Sequence, residues 1–274
     1  MIRQSYLLHK NHGMHMISII KNRWRKYGFL FEELVKRDFH KRYKRTYLGI
    51  VWSLLGPLLH FVVMALVFID LLGRNIPHFL IYVFTGVKVY SFFRESTGQG
   101  MQSLVSNSGI ITKVRVPKYL FLLSKNVSSL INFGIMFIVY IIFVMADGLP
   151  LHPRFFLLLY PIITLMLLNI GLGLVLSALY VFFKDIQYLY DIFTMMLMWL
   201  SAIFYSIERY PLNVQRLFLL NPVYAHIHYF RLVVLDGIIP SWHIHAICAL
   251  YAIAALAVGA FIYKRYNYRF IYYM

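Results

Sequence analysis

Long apolar stretches without a charged residue divide this chain into segments of membrane-spanning length. The first occupies residues 46–69, which are 24 consecutive residues without Lys, Arg, Asp or Glu. A helix needs about 20 such residues to cross the hydrocarbon core of a bilayer, which is roughly 30 Å thick. Three further charge-free runs reach that length, and they occupy residues 126–146, 155–183 and 237–263. The pattern predicts four transmembrane helices.

Two more segments predict spans although they carry charge. Residues 186–207 are apolar except for Asp191, which lies about one turn in, near the interface, where a carboxylate costs less than at the midplane. Residues 79–103 begin apolar and then contain Lys88, Arg94 and Glu95. We expect this segment to cross as a broken or polar-faced helix. The predicted fold class is therefore an all-α integral membrane protein with six transmembrane helices.

Two other segments fit neither a span nor a simple loop. In residues 24–44 apolar side chains alternate with charge at helical spacing, which predicts an amphipathic helix in the inner interface. Residues 217–230 carry no charge but are too short to span, and Pro222 after Asn221 interrupts them. They predict a re-entrant pair of short helices on the outer side, before the last span. Irregular backbone at that depth implies a neighbouring cavity or exit.

The basic residues indicate the orientation of the spans. With both termini inside, the inner segments hold 20 of the 27 Lys and Arg residues and the outer segments hold five. Lys and Arg beside a span are retained in the cytoplasm, so both termini are predicted to be cytoplasmic. Three divisions are predicted. Residues 1–45 form a cytoplasmic N-terminal segment with the amphipathic helix, residues 46–264 form a six-span domain, and residues 265–274 form a cytoplasmic tail.

Composition supports a membrane protein and excludes several other classes. Hydrophobic residues make up 61% of the chain and charged residues 14%, which is unsuited to a soluble domain. The net charge of +17 is explained by topology and by attraction to anionic head groups, since no nucleic-acid motif accompanies it. The single cysteine, Cys248, allows no intramolecular disulfide and no multi-cysteine metal site.

Candidate chemistry in the chain is sparse. The His-x-His pairs at 226/228 and 243/245 would point in different directions on a helix, so no metal site is predicted. The scattered acids include no Asp-rich pair that would hold Mg²⁺ against a diphosphate. No Gly-x-x-x-x-Gly-Lys-Ser/Thr loop is present, so the chain is not expected to hydrolyse a nucleotide by itself. Lys88 and Glu95 share a helix face and either line a polar interior or, for Lys88, reach the interface.

Four stretches carry a likeness to a known family. They follow the family's order over about residues 36–240, and the matching features are Leu48, Gly49, Trp52 and Pro57; Asn107, Lys113, Val114 and Pro117; the segments ALYVFFKDIQYL and SAIFYSIERYP; and Asn221, Pro222 and Arg231. These features resemble the membrane permeases of ATP-binding-cassette (ABC) exporters for lipid-linked polysaccharides. That family includes the O-antigen, capsule and wall teichoic acid translocators.

The resemblance implies a permease subunit without catalytic residues. It would move an undecaprenyl-diphosphate-linked polysaccharide, of wall teichoic acid or O-antigen type, across the bacterial cytoplasmic membrane. Two permeases would assemble with two ATPase subunits, which would bind ATP and Mg²⁺, and no cofactor is expected in this chain. The lipid-linked glycan and membrane lipids are the other expected partners, and nucleic acid is not one.

The resemblance also suggests roles for individual residues. Coupling to the ATPase is expected from a short helix over 107–120, through Asn107, Ile110, Ile111, Lys113, Val114, Arg115 and Pro117. Recruitment of the diphosphate head group is expected from Lys41, Arg42, Lys44 and Arg45, since Arg and Lys bind phosphate strongly, although these cations could instead serve topology alone. The channel or lateral gate is expected to involve Trp52, Phe61, Lys88, Tyr188 and Trp199, and the outer gate Asn221, Pro222 and Arg231.

The chain departs from the family pattern at three places. Val-Lys-Val-Tyr follows Gly86 where Pro-Trp is common, Ala202 stands where Pro is usual, and residues 121–124 lack a common proline. Two other functions fit the same sequence. One is a membrane transferase acting on lipid-linked sugar with a histidine base. The other is the permease of a small-molecule exporter with the same architecture.

Overall fold

The computed structural model describes residues 25–41 and 76–273, together with isolated positions between 55 and 67. Within these residues every regular element is helical, so the all-α prediction is confirmed for the described part of the chain. The first predicted span, at 46–69, falls outside the described residues apart from those isolated positions. Residues 1–24 and 42–45 of the predicted N-terminal segment also fall outside the described residues.

The helices follow the boundaries that the apolar pattern and the prolines indicate. In chain order they are α1 (25–41), α2 (Phe79–Gln102), α3 (Ser108–Ile111), α4 (Tyr119–Ala146), α5 (Leu159–Phe182), α6 (Ile186–Leu200), α7 (Leu212–Phe218), α8 (Pro222–Val234), α9 (Trp242–Tyr266) and α10 (Phe270–Tyr273). A 3-10 turn, Val105–Asn107, precedes α3, and a second, Pro153–Leu158, leads into α5.

Three of the described helices are long and apolar enough to cross a membrane. They are α4, α5 with its preceding 3-10 turn, and α9. Helix α2 is an unbroken helix of 24 residues, so of the two expected forms, broken or polar-faced, the structure excludes the broken one. Helix α6 ends at Leu200, short of the predicted 207, and its 15 residues extend only about 22 Å.

Helix α5 is the central packing element of the described bundle. It makes its most extensive contact with α9 and a second large contact with α2. At the crossing with α9, a Cβ added to Gly171 would collide with the backbone of Ala255 and Leu256, and one added to Gly259 would collide with the backbone of Gly171. Small residues at a helix crossing let two backbones approach closely, which is how membrane helices gain packing contacts.

Two apolar cores occupy opposite ends of this bundle. The larger one joins α2, α4, α5 and α8 and includes rings such as Phe84, Tyr140 and Tyr229. The smaller one joins Leu34 of α1 to Ile111 of α3 and to the start of α4 and the end of α9. The break predicted at Asn221 and Pro222 is confirmed, because α7 ends before this pair and α8 begins at Pro222.

Candidate functional site

The predicted coupling segment lies beside the smaller core and is less helical than expected. The structure places one helical turn at Ser108–Ile111, followed by a turn and an extended stretch before α4. The expectation of one helix over 107–120 is therefore wrong. Pro117 explains part of the difference, because a proline disfavours helical backbone in the residue before it and cannot donate a helix hydrogen bond.

The three apolar residues of this segment do not share one outward face. Ile111 is 5% exposed and packs in the smaller core, whereas Ile110 and Val114 are 37% and 51% exposed. Lys113 and Arg115 are exposed beside them, and Pro117 is half-buried. The accessible surface of the segment is thus formed by Ile110, Lys113, Val114 and Arg115, and Ile111 holds it onto the bundle.

Asn107 fixes this segment to helix α1. Its side-chain NH₂ donates to the Ser103 carbonyl at 2.7 Å, and its side-chain oxygen accepts from Arg37 Nη2 at 2.8 Å. Asn107 is buried, while Arg37 retains partial exposure. A charge-assisted hydrogen bond therefore joins the amphipathic helix to the turn that precedes α3.

Asp38 makes the second attachment of α1, and the sequence pattern did not single it out. Its carboxylate accepts from Ser124 Oγ at 3.1 Å and pairs with Lys125 Nζ at 3.2 Å, and its side chain is 1% exposed. Leu34, one turn earlier, is also buried. Helix α1 is confirmed as amphipathic, but its buried face packs on α4 and α3. The sequence signal for this was an acid placed one turn after Leu34 in a basic helix.

The basic cluster predicted to recruit a head group lies mostly beyond the described residues. Lys41 is exposed at the end of α1. Arg42, Lys44 and Arg45 fall outside the described residues, as do Trp52 and Phe61 among the predicted gate residues. The roles of these six residues stay predictions.

Lys88 and Glu95 lie on the buried side of α2, in a polar pocket against α4. Lys88 is 8% exposed, and its Nζ lies 5.2 Å from the centre of the Phe84 ring. Asn132 of α4 donates to Glu95 Oε2 at 3.0 Å. A cavity of about 30 Å³, large enough for a water molecule, lies between these groups and Ser91 and Ser129. This geometry favours the interpretation that Lys88 lines a polar interior over the alternative that it reaches the membrane interface.

The two described aromatic gate candidates lie on the exposed face of α6. Tyr188 is 73% exposed and Trp199 is 52% exposed, and other large apolar side chains of α6 are exposed beside them. Helix α6 makes only small contacts with α2 and α5. Among the residues that the structure describes, none covers this apolar face, which could contact lipid or another protein segment.

Asn221 and Pro222 form the start of helix α8, at the predicted outer gate. The Asn221 side-chain oxygen accepts from the backbone N–H groups of Val223 and Tyr224 at 2.9 and 3.3 Å, and its NH₂ donates to Ser201 Oγ at 2.9 Å. Pro222 occupies the first helical position, where its missing N–H costs nothing. This cap ties α8 to the end of α6.

Arg231 is buried and holds three elements together. Its guanidinium donates to the carbonyls of Ala202 and Ile203 at 3.0 and 3.1 Å and to the Tyr82 carbonyl at 3.2 Å. It also stacks on the Tyr82 ring, with Cζ 3.3 Å from the ring centre. Carbonyls in the turn after a helix lack helical partners, and Arg231 supplies donors for two of them. The sequence placed this residue in an outer loop, whereas it is 5% exposed.

Gly86 and Ala202, of which Ala202 is a departure from the family pattern, lie against Arg231. A Cβ on Gly86 would lie 3.1 Å from Arg231 Nη2 and 3.0 Å from Ile203 Cγ2, so this glycine leaves room for the guanidinium. Ala202 has a positive φ of 46°, which proline cannot adopt because its ring fixes φ near −65°. The alanine is thus compatible with the turn that presents its carbonyl to Arg231.

A cavity of about 360 Å³ opens above Arg231, between the start of α2 and helices α7 and α8. Charged groups of both signs line it, among them Arg216, Glu208 and Asp236. Burial, with a further contribution from Glu208, raises the pKa of Asp236 above its usual value. This end of the bundle therefore has the polar cavity that the re-entrant helices implied.

In each His-x-His pair, the more buried histidine makes hydrogen bonds. These are His226 and His245. His226 contacts the Thr164 hydroxyl through Nε2 at 3.1 Å and the Pro222 carbonyl through Nδ1 at 2.7 Å. His245 Nε2 contacts the Tyr229 hydroxyl at 2.8 Å. In the described part of the chain, no three His, Cys, Asp or Glu side chains come close enough to hold a metal ion.

The described residues form a helical bundle with three helices long and apolar enough to cross a membrane, an amphipathic helix bound to the turn before α3, and a capped helix at the other end. These features define an α-helical membrane protein. The family model for the ABC-2 type transporter membrane family matches residues 30–235. The chain belongs to the ABC-2 type transporter membrane family.

The chain is also similar in sequence to individual polysaccharide export proteins. The chain is 31% identical over 176 residues to the O-antigen export system permease protein RfbA of Myxococcus xanthus, an alignment that covers 64% of this chain and 66% of the relative. It is 25% identical over 249 residues to the protein of the same name from Klebsiella pneumoniae, and this alignment covers 89% of this chain and 95% of the relative. It is 21% identical over 236 residues to the polysialic acid transport protein KpsM of Escherichia coli, and this alignment covers 85% of this chain and 92% of the relative.

Proposed function

We propose that this chain is the permease subunit of an ATP-driven exporter that moves a lipid-linked polysaccharide across the bacterial cytoplasmic membrane. The match to O-antigen and polysialic acid export permeases over most of the chain is the observation that carries the proposal. The substrate is an undecaprenyl-diphosphate-linked glycan of O-antigen or wall teichoic acid type. Its polymer passes through the protein while its lipid remains in the membrane.

The proposed assembly contains two copies of this chain and two ATPase subunits, which bind ATP and Mg²⁺. Each permease has six spans with both termini cytoplasmic, residues 46–264 forming the permease domain between the segments 1–45 and 265–274. The exposed apolar face of α6 supports an interface between two permease copies, because it lacks a partner large enough to cover it within the described residues.

The coupling turn is the proposed contact with the ATPase. Ile110 and Val114 are exposed apolar side chains flanked by the cations Lys113 and Arg115. Movement of this turn would reach α1 through the hydrogen bond between Arg37 and Asn107, and would reach α4 through the same helix. In this proposal α1 lies in the membrane interface and also transmits the conformational change of the ATPase to the membrane domain.

Reconstitution with the cognate ATPase tests the function. Inside-out vesicles containing both proteins should translocate a polyprenyl-diphosphate glycan into the lumen when ATP is added, and should stop when the ATPase carries an inactivating substitution in its nucleotide loop. Purification in mild detergent should give a two-plus-two complex. Modification of the lipid-linked sugar by this chain alone, without ATP or the ATPase, would instead identify a membrane transferase.

A further inference from the structure

A groove of about 780 Å³ lies between the start of α4, the second half of α5 and the end of α9. Its wall is apolar along the helices, where Leu122, Leu123, Ile170 and Leu174 line it. Its other end is polar and is formed by residues just outside the helices. The groove shares Pro117 and Lys118 with the predicted coupling segment at 107–120, but it is separate from the exposed turn at Ile110 and Val114, from the polar pocket at Lys88 and from the cavity beside Arg231.

Two lysines mark the polar end of the groove. Lys118 precedes the first residue of α4, and Lys264 lies in the last turn of α9. Lys118 is buried, donates to the Asn267 backbone and side-chain oxygens, and lies 5.7 Å from the centre of the Phe270 ring. Burial lowers the pKa of Lys118, and a nearby anion would offset that cost. None of the described residues that line the groove is acidic.

Tyr263 provides an independent indication of a ligand. Its side chain lines the groove and is 7% exposed. Its hydroxyl is buried and has no hydrogen-bond partner among the described residues. A buried tyrosine hydroxyl is normally paired, because removing it from water without a partner costs free energy. A ligand oxygen between Tyr263 and the lysines would provide the missing acceptor.

We propose that this groove binds one anionic phospholipid, with the phosphate beside Lys118 and Lys264 and an acyl chain along the apolar wall of α4 and α5. Basic pockets between transmembrane helices bind anionic lipid head groups. The charge rule places this end of the bundle at the cytoplasmic leaflet. The apolar wall, formed by Leu122 and Leu123 of α4 and by one turn of α5 from Ile170 to Leu174, distinguishes a lipid from a free phosphate ion.

Lipid retention by the purified full-length chain tests the proposal. The chain is extracted into detergent with phosphatidylglycerol or phosphatidylcholine added, and native mass spectrometry counts the lipids retained per protomer. Phosphatidylglycerol should be retained at one copy in preference to phosphatidylcholine, and excess inorganic phosphate should not displace it. Lys264→Gln should weaken retention about fivefold, since one lysine near a lipid surface contributes about 1 kcal/mol.

Matched variants separate the groove from general effects. Arg265→Gln removes a neighbouring exposed charge that does not line the groove, and it should leave retention unchanged. Ala260→Trp should fill the groove and abolish retention, whereas Ala254→Trp, exposed elsewhere on α9, should not. Tyr263→Phe should reduce the thermal stabilisation that phosphatidylglycerol confers.

Three results would overturn the proposal. The first is equal retention in Lys264→Gln, Ala260→Trp and the unsubstituted chain. The second is equal retention of phosphatidylcholine and phosphatidylglycerol. The third is displacement of the bound species by inorganic phosphate, which would identify a free-anion site. Each measurement is made on protein that elutes as a single symmetric peak, so that a misfolded variant is not counted as a loss of binding.

Discussion

Arg37 donates a hydrogen bond of 2.8 Å to the side-chain oxygen of Asn107, 70 residues further along the chain. This contact connects helix α1 to the turn from which Ile110 and Val114 are exposed. Together with the packing of Leu34 against Ile111 in the smaller core, it joins α1 directly to the proposed ATPase contact. Its energetic effect and that of the neighbouring contacts can be measured separately.

Arg37→Ala should lower export-coupled ATP hydrolysis several-fold while the chain remains inserted and folded. The substitution removes the charge-assisted hydrogen bond to Asn107, worth about 1.5–3 kcal/mol, together with the ion pair to Asp38, and Asn107 would keep its bond to the Ser103 carbonyl. The measurement is ATPase activity of the reconstituted complex with and without lipid-linked glycan. Arg25→Ala, on the exposed side of the same helix, is the control. Equal coupling in the two variants would exclude α1 from the transmission.

Asp38→Asn should destabilise the chain by about 2–3 kcal/mol. The substitution removes the negative charge that pairs with Lys125, whose side chain is 17% exposed, and a partly buried ammonium without its partner is costly. Thermal unfolding in detergent measures the change. Glu32→Gln removes an equivalent charge from an exposed pair with Lys36 and should have little effect. An unchanged melting temperature for Asp38→Asn would show that α1 is held by its apolar face alone.

Ile111→Asp and Val114→Asp should have different consequences, although the two residues lie in one short segment. Ile111 is buried in the smaller core, so a carboxylate there should lower thermal stability and the yield of folded protein. Val114 is exposed, so the same substitution should leave the melting temperature unchanged and weaken co-purification of the ATPase. If Val114→Asp assembles and couples normally, the turn is not the ATPase contact.

Arg231→Lys should destabilise the outer end of the bundle by about 2–4 kcal/mol despite the retained charge. A single ammonium group cannot reproduce the planar donors that reach the carbonyls of Ala202, Ile203 and Tyr82, or the stacking on the Tyr82 ring. The exposed Arg209 offers the matching control, Arg209→Lys. Limited proteolysis between α6 and α7, together with thermal unfolding, would detect the loosening. Identical protection in both variants would contradict the anchoring role.

Glutamine substitutions in the basic cluster test head-group recruitment. Lys41, Arg42, Lys44 and Arg45 are replaced one at a time, which leaves enough positive charge to preserve orientation. Loss of one productive phosphate contact of about 1.5–3 kcal/mol should weaken stimulation of the ATPase by lipid diphosphate about tenfold or more. Unchanged stimulation in all four variants would leave the cluster with a topological role only.

The lengths of the apolar runs predicted the main helices because burial of backbone in lipid requires continuous helical hydrogen bonding. This argument located the ends of α4, α5 and α9 to within about five residues, except for the start of α4, which lies at Tyr119 rather than at 126. Asn221 with Pro222 located the break between α7 and α8. It failed for α6, which stops at Leu200. The carbonyls of Ala202 and Ile203 beyond that point accept from Arg231, and a donor 29 and 28 residues away cannot be seen in a local sequence pattern.

By itself the sequence determined that the chain is an α-helical membrane protein, where its long apolar helices lie and which end of each carries the cations. These properties follow from local hydrophobicity, from charge and from proline. The tertiary structure alone decided which side chains face inward: Asp38 toward Lys125, Ile111 into the smaller core, Arg231 onto three carbonyls and Lys118 into a groove. The reason is that a buried polar group is stable only when a partner from another helix meets it, and that partner is chosen by packing across the whole chain.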